Sequence, residues 1–375
     1  MSTNLLPPTH KALVQEVHGQ ALVAKTVPTP QPSPGSAIIK VLHSPIVSYM
    51  RDVYYGGTRG LPYPTPLVIG TSAIGRVVAT GPDAALLKEG DLVCFDFAIR
   101  GRDDQNAAFL MGFFEGFTEG SKKLMEGEWR DSTYAEYAKA PLENLHLLDE
   151  KRLLGSPADG GLGYAPEQLA WFLLALVPYG GLRSIGLQAG ETIIISPATG
   201  GFGSAAVAVA LAMGARVIAM GRNSEALAKL KTLGPRVETV QMTGDAEAEM
   251  AALKKFGKID AFLDISPTVA QNSTHFKAAI LSLTHGGRVS LMAGLLDDLP
   301  IPHGFVMGHE ITLKGKWMYT REECQAFLGL VTSGVLDVRE VVQVVGSFKL
   351  EEWEEAFDVA AERAGRLGQL VVFSP

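Results

Sequence analysis

Residues 191–223, ETIIISPATGGFGSAAVAVALAMGARVIAMGRN, leave this chain few folds to choose from. Thr192–Ser196 is a β-branched run of the kind a buried parallel strand needs. It leads into Gly200-Gly201-Phe202-Gly203-Ser204-Ala205-Ala206, which from Gly201 onward reads G-x-G-x-x-A. Small residues at that spacing suit a tight strand-to-helix turn. The backbone can approach a pyrophosphate with no Cβ in the way, and the helix can lie close on its strand. The helix predicted from about Gly203 to Met213 points its first N–H groups at the phosphates. Gly214 ends it, and Arg216–Met220 reads as the next strand. The motif alone is weak. With a strand before it, a helix after it and a second strand ending about 20 residues on, it reads as a dinucleotide turn.

The candidate coenzyme contacts in this turn are Ala198, Thr199, Gly200, Gly201, Phe202 and Gly203. A carboxylate at the end of the second strand hydrogen-bonds the ribose 2′-OH of NAD. This chain has Gly221-Arg222-Asn223-Ser224 there, with no acid. An arginine beside an amide and a hydroxyl suits a 2′-phosphate by charge and by fork geometry. The expected coenzyme is therefore NADPH; the plainer alternative is a solvated loop arginine. Ligands of open α/β sheets lie beyond the carboxyl ends of the strands. That rule adds Ile265, Ser266, Ala293 and Gly294, and more weakly Gly315–Trp317 and Arg321.

A chain of 375 residues is long for one core, so two domains are expected. The first part alternates β-type runs with turns: Ala12–Val14, Ala21–Ala24, Ala37–Leu42, Val77–Thr80, Leu92–Phe95 and Tyr134–Ala138. Residues 100–132 are charged and glycine-rich and read as a long surface excursion with little helix. From Pro166 strands and helices alternate. Helices are expected at Glu167–Val177, Asp245–Lys255 and Val269–Leu283, and strands at Glu238–Gln241, Asp260–Ile265 and Arg288–Ala293. This is the pattern of an α/β doubly wound Rossmann sheet. Two helices, Arg321–Thr332 and Leu350–Glu362, precede a last strand, Gln369–Phe373.

The net charge of −7, with no basic block, argues against a nucleic-acid surface. Two cysteines, Cys94 and Cys324, exclude a disulfide framework and a four-cysteine zinc lobe. The longest apolar run, Leu169–Val177, is too short to span a bilayer. The N-terminus, MSTNLLPPTHKAL, has no basic stretch followed by an apolar one, so a cytoplasmic location is expected. The histidines show no H-x-x-x-H spacing, and G-x-S-x-G does not occur.

These features together resemble the medium-chain dehydrogenase/reductase superfamily. The segments that carry the resemblance include KALVQEVHGQALVAKTVPTPQPSPGSAIIKVL, GRVVATGPDAALLKEGDLV, TYAEYAKAPLENLHLL, the turn PATGGFGSAA and the terminal GRLGQLVVFS. The resemblance implies three parts: a GroES-like β-rich catalytic domain over 1–160, a Rossmann coenzyme domain over 161–314, and a return to the catalytic domain over 315–375. Zinc enzymes of the superfamily place a cysteine where this chain has Val47 or Ser48. They place a G-H-E stretch where it has Gly70-Thr71-Ser72, and a further ligand at or near Tyr179. None of these is a thiolate, imidazole or carboxylate. The chain thus resembles the zinc-free branch, with its quinone oxidoreductases, enoyl reductases and alkenal/one reductases, and no metal is expected. VSYMR resembles the D-P-Y-M-R stretch of the alkenal/one reductases, without its acidic first residue.

Without zinc, a carbonyl must be polarised by hydrogen-bond donors. The resemblance points Tyr49 and Tyr179 toward the reaction as candidate catalytic phenols; the plainer alternative is an aromatic wall. Ser48, Arg51, Tyr54, Tyr55, Thr71 and Trp129 are the candidate substrate-pocket residues. Arg51 has two readings, a partner for a substrate carboxylate or a structural ion pair near Asp52, and Trp129 has a second as a packed surface residue. The strand Ile311–Trp317 resembles the edge strand through which members pair their Rossmann sheets, which implies a homodimer. The expected function is zinc-independent, NADPH-dependent reduction of a small α,β-unsaturated carbonyl or quinone. The alternatives are a zinc-free carbonyl reductase or alcohol dehydrogenase, and an NADPH-binding protein with little catalysis.

Overall fold

Strand Ser36–Ile46 organises the first half of the molecule: it pairs antiparallel with Ala73–Thr80, Tyr137–Pro141 and Gln369–Phe373. The structure is a computed structural model and describes residues 6–56, 59–295 and 297–375. Residues 1–5, on which the reading of the N-terminus partly rests, lie outside them. Two units are present. One holds the residues up to 173 together with 338–364 and 369–375; the other holds 174–337 and 365–368.

In the first unit, the main sheet runs in the order Leu145–Leu147, Leu92–Phe95, Ala73–Thr80, Ser36–Ile46, Gln369–Phe373, Gln343–Phe348. A second sheet joins Val23–Pro28, Thr9–Gln15 and Leu67–Val68. Ile38, Ile39, Val93, Phe95 and Val371, all on strands of the main sheet, are completely buried. The stretch read as a surface excursion is different. Ala98–Arg100 and Ala108–Leu110 form a hairpin, and Glu119–Glu126 is a two-turn helix capped by Thr118. Phe109, Met111 and Phe113 are buried, so the charged residues are only the outer face of a packed subdomain.

The coenzyme unit is a six-stranded parallel sheet. Its spatial order is Val237–Gln241, Arg216–Gly221, Thr192–Ser196, Ala261–Asp264, Arg288–Leu291, Thr312–Gly315. In chain order that is 3-2-1-4-5-6, the doubly wound arrangement with its switch point beside the fingerprint strand. Ile193, Ile194 and Ile195 are completely buried, as expected for a strand covered on both faces.

Three expectations are corrected. The change of unit falls at 173/174, inside helix Phe172–Ser184, rather than near 160. The return begins at 338, not 315: Thr312–Gly315 completes the parallel sheet, and Phe327 of helix Arg321–Ser333 packs on Tyr179. The helix predicted over Val269–Leu283 is a short 3₁₀ turn, Thr268–Ala270, followed by helix His275–Ile280. Pro267 and the polar run Gln271-Asn272-Ser273-Thr274 favour turns. Only the second half buries its apolar residues, while Val269 is 82% exposed.

Candidate functional site

The fingerprint turn is built from its glycines. Gly200 precedes helix Gly201–Ala212 with φ −87° and ψ 174°, and no side chain caps the helix start. The first N–H groups of a helix lack intrahelical partners and stay available for an anion. A Cβ on Gly200 would meet nothing within 4 Å. A Cβ on Gly203 would sit 2.0 Å from the Pro197 carbonyl oxygen and 2.9 Å from Ala198 Cα, which is the close helix–strand approach predicted for that position. Ala198 is buried and its N–H donates to Met220 O at 2.8 Å. Gly221 leaves room for Thr199, whose Cγ2 lies 2.7 Å from where a Cβ would stand. Gly201 and Phe202 are half-buried in the first turn.

A cleft of about 350 Å³ adjoins this turn, lined among others by Thr199, Ser204, Asn223, Glu225 and Arg366. The Asn223 side-chain oxygen accepts from Ala226 N–H at 3.0 Å and caps helix Ser224–Lys231. Arg222, just before it, is exposed, and no carboxylate among the described residues pairs with it. Arg366 was missed by sequence reasoning. It lies far along the chain, in a four-residue segment that joins the coenzyme unit; the segment GRLGQLVVFS that contains it carries the family resemblance but no local sign of a coenzyme contact.

Beyond the fourth strand, Ile265 N–H donates to Ser196 O at 3.0 Å. Ser266 turns its side chain inward. Its Oγ donates to Asp264 Oδ1 at 2.6 Å and lies 2.9 Å from His275 Nε2, and all three residues are buried. The Ser266 N–H also donates to Asp264 Oδ1, at 3.2 Å, so its polar groups are held within the protein. Gly294 N–H donates to Ser266 O at 2.9 Å, and Thr268 Oγ1 donates to Gly294 O at 2.8 Å. These bonds tie the 265–268 and 293–294 loops together, with Ala293 half-buried. Tyr179, in the same unit, is buried edge-on against Phe327 at 5.6 Å between ring centroids. Burial raises its phenol pKa, with Arg183 opposing.

In the first unit, Tyr49 is half-buried at the start of helix Met50–Tyr54. The Arg59 guanidinium lies 3.8 Å from its ring centroid and Phe113 packs edge-on at 6.4 Å. Burial raises the Tyr49 pKa, and the Arg59 charge opposes that. The phenol therefore holds its proton at neutral pH. Ser48 is half-buried next to it.

The other predicted pocket residues in this unit are committed elsewhere. Tyr54 is completely buried and donates to Gly112 O at 2.7 Å. Tyr55 is 41% exposed and packs edge-on against Trp353. Arg51 pairs with Asp358 at 2.6 Å and donates to Glu354 O at 3.1 Å, so it serves as a structural tie, though not to Asp52's carboxylate. Thr71 is buried: its Oγ1 donates to Pro45 O at 3.0 Å, and its N–H donates to Thr133 Oγ1 at 3.2 Å. Trp129 is buried under the Arg102 and Lys139 cations. Among the described residues, the Tyr49 phenol and the Ser48 hydroxyl have no hydrogen-bond partner, and Tyr49 is held through its ring by Arg59 and Phe113.

The same region does not suit a catalytic zinc. Val47, Ser48, Gly70, Thr71 and Ser72 provide no thiolate, imidazole or carboxylate. The hydroxyls of Ser44 and Thr133 bond each other and nearby carbonyls, and the Thr71 hydroxyl donates to the Pro45 carbonyl. Among the described residues no three His, Cys, Asp or Glu side chains gather into a possible metal site, and Cys94 and Cys324 are both buried.

Comparison with known proteins supports the two-part fold and the family. Residues 33–150 match the alcohol dehydrogenase GroES-like domain, and residues 201–333 match the zinc-binding dehydrogenase domain. The chain belongs to the medium-chain dehydrogenase/reductase superfamily. It is similar to an L-threonine 3-dehydrogenase of Streptomyces avermitilis, 27% identical over 373 residues, covering 95% of this chain and 98% of the relative. An acryloyl-coenzyme A reductase of Metallosphaera sedula is 26% identical over 359 residues, covering 94% and 97%. Among solved structures, AibC superposes with a TM-score of 0.78 at 22% identity, covering 100% of this chain and 98% of the other. Alcohol dehydrogenase TADH from Thermus sp. ATN1 gives 0.76 at 22%, covering 97% and 99%. These structural likenesses concern the fold. With a Rossmann unit and relatives that are dehydrogenases and reductases, the chain is an NAD(P)-dependent oxidoreductase. Among the described residues, no helix is long and apolar enough to cross a membrane.

Proposed function

We propose that this chain is a zinc-independent, NADPH-dependent reductase of a small α,β-unsaturated carbonyl or quinone. The observation that carries the zinc-free part is the donor set: the matched ligand positions hold Val47, Ser48, Gly70-Thr71-Ser72 and Tyr179. The coenzyme choice is supported by the end of the second parallel strand, where Gly221 and an ion-pair-free Arg222 stand in place of an acid. The turn fits a dinucleotide, since Gly200 is open and the helix start uncapped.

NADPH, when bound, supplies a hydride; the protein supplies orientation and electrostatics. In conjugate reduction, negative charge develops on the carbonyl oxygen as hydride reaches the β-carbon. A neutral phenol suits that oxygen, because it can donate a hydrogen bond and stabilise the growing charge. Tyr49 is the phenol best prepared for this. Burial keeps it protonated, and Arg59 over its ring favours charge passing onto it. Tyr179 is the second candidate in the coenzyme unit. The relative named an acryloyl-coenzyme A reductase supports double-bond chemistry. The relatives named L-threonine 3-dehydrogenase and alcohol dehydrogenase favour a second reading, carbonyl reduction with the same coenzyme.

The test is NADPH consumption with an enone and, separately, with its saturated ketone, the products identified by mass spectrometry. Saturated ketone from the enone and no reaction of the ketone is the expected result. Alcohol from either substrate would move the assignment to carbonyl reduction, and coenzyme binding without turnover across a wide panel would favour a binding role. The exposed edge strand Thr312–Gly315 pairs on one side only, with Arg288–Leu291, among the described residues. Its open side supports a homodimer formed by a second copy adding its own edge strand.

A further inference from the structure

Residues Gly365–Gly368 cluster with the coenzyme unit, although the residues on both sides of them belong to the other unit. They bring Arg366 and Leu367 into the wall of the cleft beside the fingerprint turn. We propose that Arg366 is a second cation of the 2′-phosphate site, acting with Arg222, and that it sets the preference for NADPH over NADH. The inference rests on the NADPH reading given above.

Three charged side chains line the cleft: Glu225, Lys229 and Arg366. Lys229 lines it but pairs with Glu225 at 3.1 Å along the same helix. Glu225 also lines the cleft, and it is the one carboxylate there that could take a ribose hydroxyl; Lys229 offsets its charge. Arg366 is exposed and has no carboxylate partner among the described residues; Arg222, which precedes the lining residue Asn223 in sequence, is likewise exposed and has none among them. A phosphate monoester carries nearly two negative charges at neutral pH. One arginine leaves that charge half balanced, whereas two guanidinium forks match both the charge and the several acceptor oxygens.

The neutral groups fit the same ligand. Asn223 spends its side-chain oxygen on the helix cap, which leaves its NH₂ as a donor. Ala226, Leu230 and Leu367 give the cleft an aliphatic wall suited to a purine face. The volume, about 350 Å³, is in the range of small-molecule sites. Thr199, at the mouth of the turn, connects the cleft to the residues assigned to the pyrophosphate.

The experiment is a titration of the intact enzyme with 2′,5′-ADP and with 5′-AMP, for the wild type, Arg366→Ala, Arg366→Lys and Arg222→Ala. Removal of a charged donor from a phosphate costs about tenfold or more in affinity. Arg366→Ala is expected to weaken 2′,5′-ADP by about that factor while 5′-AMP changes less than about twofold. Arg366→Lys, which keeps the charge, should fall between the wild type and the alanine variant. Arg222→Ala should behave like Arg366→Ala. An Arg366→Ala protein that loses both ligands equally, or neither, overturns the inference while leaving NADPH dependence intact. A wild-type enzyme that binds the two ligands equally overturns the NADPH reading itself. Melting temperatures of the variants identify any general loss of structure.

Discussion

Gly200 and Gly203 lie three residues apart in the same turn, and the structure assigns them opposite reasons for being glycine. At Gly203, an added methyl would meet the Pro197 carbonyl oxygen at 2.0 Å and Ala198 Cα at 2.9 Å. Both are backbone atoms of the preceding loop, so no flexible side chain can yield. Overpacking of this kind costs ~1–3 kcal/mol. For a unit of this size, ~2 kcal/mol lowers the melting temperature by about 4–8 °C. At Gly200, by contrast, φ −87° and ψ 174° suit any L-residue, and a methyl would meet nothing. Alanine caps a helix less well than glycine but loses less entropy on folding, and the two effects leave stability within ~1 kcal/mol of wild type. The methyl would, however, occupy the space through which the backbone approaches a pyrophosphate. Gly203→Ala should therefore melt early, whereas Gly200→Ala should melt like the wild type and bind NADPH at least about tenfold more weakly, a loss of ~1.4 kcal/mol. The assay is thermal unfolding followed by NADPH titration. Wild-type affinity in Gly200→Ala would refute the placement of the pyrophosphate, and wild-type stability in Gly203→Ala would refute the close packing.

The two neighbouring tyrosines should separate in the same way. Tyr54→Phe removes a 2.7 Å hydrogen bond and leaves the buried Gly112 carbonyl without it, so unfolding measurements should show a loss of ~1–3 kcal/mol. Tyr49→Phe should unfold like the wild type but turn over about 10²–10⁴-fold more slowly, the contribution of a positioned proton donor; an unchanged kcat would remove Tyr49 from the chemistry. His43 and His10 are held below the usual value of 6.5 by burial. The unfolded chain then binds protons that the folded chain does not, so their contribution is complete above pH 6.5 and declines as the pH falls through that value. His43→Gln should flatten the acid side of the stability profile, and an identical pH slope in the variant would contradict the assignment. Elemental analysis of the purified enzyme should find no stoichiometric zinc, and exhaustive chelation should leave turnover unchanged. One zinc per chain, with activity lost on its removal, would overturn the donor argument.

The coenzyme unit was legible because its chemistry is local. Ile193–Ile195, the glycines at 200, 201 and 203 and the strand Arg216–Gly221 are contiguous, and the sheet order follows from their alternation with helices. Residues 100–132 were misread because charged flanks outweighed Phe109, Met111 and Phe113, whose burial depends on partners distant in sequence. Tyr54 and Tyr55 look equivalent in sequence, yet helix geometry sends one into the core and the other to the surface. Arg51 gives no local sign that Asp358 will pair with it. Arg366 shows the same limit at the candidate site itself, since only the folded chain brings residues 365–368 to the cleft.

The central claim is that hydride reaches a carbon conjugated to a carbonyl. It is tested most directly with NADPH carrying deuterium at the transferable position, an enone substrate and NMR of the product. A saturated ketone with deuterium on the β-carbon is the predicted result. Deuterium on a carbinol carbon, with the double bond intact, would contradict the account and make the enzyme a carbonyl reductase.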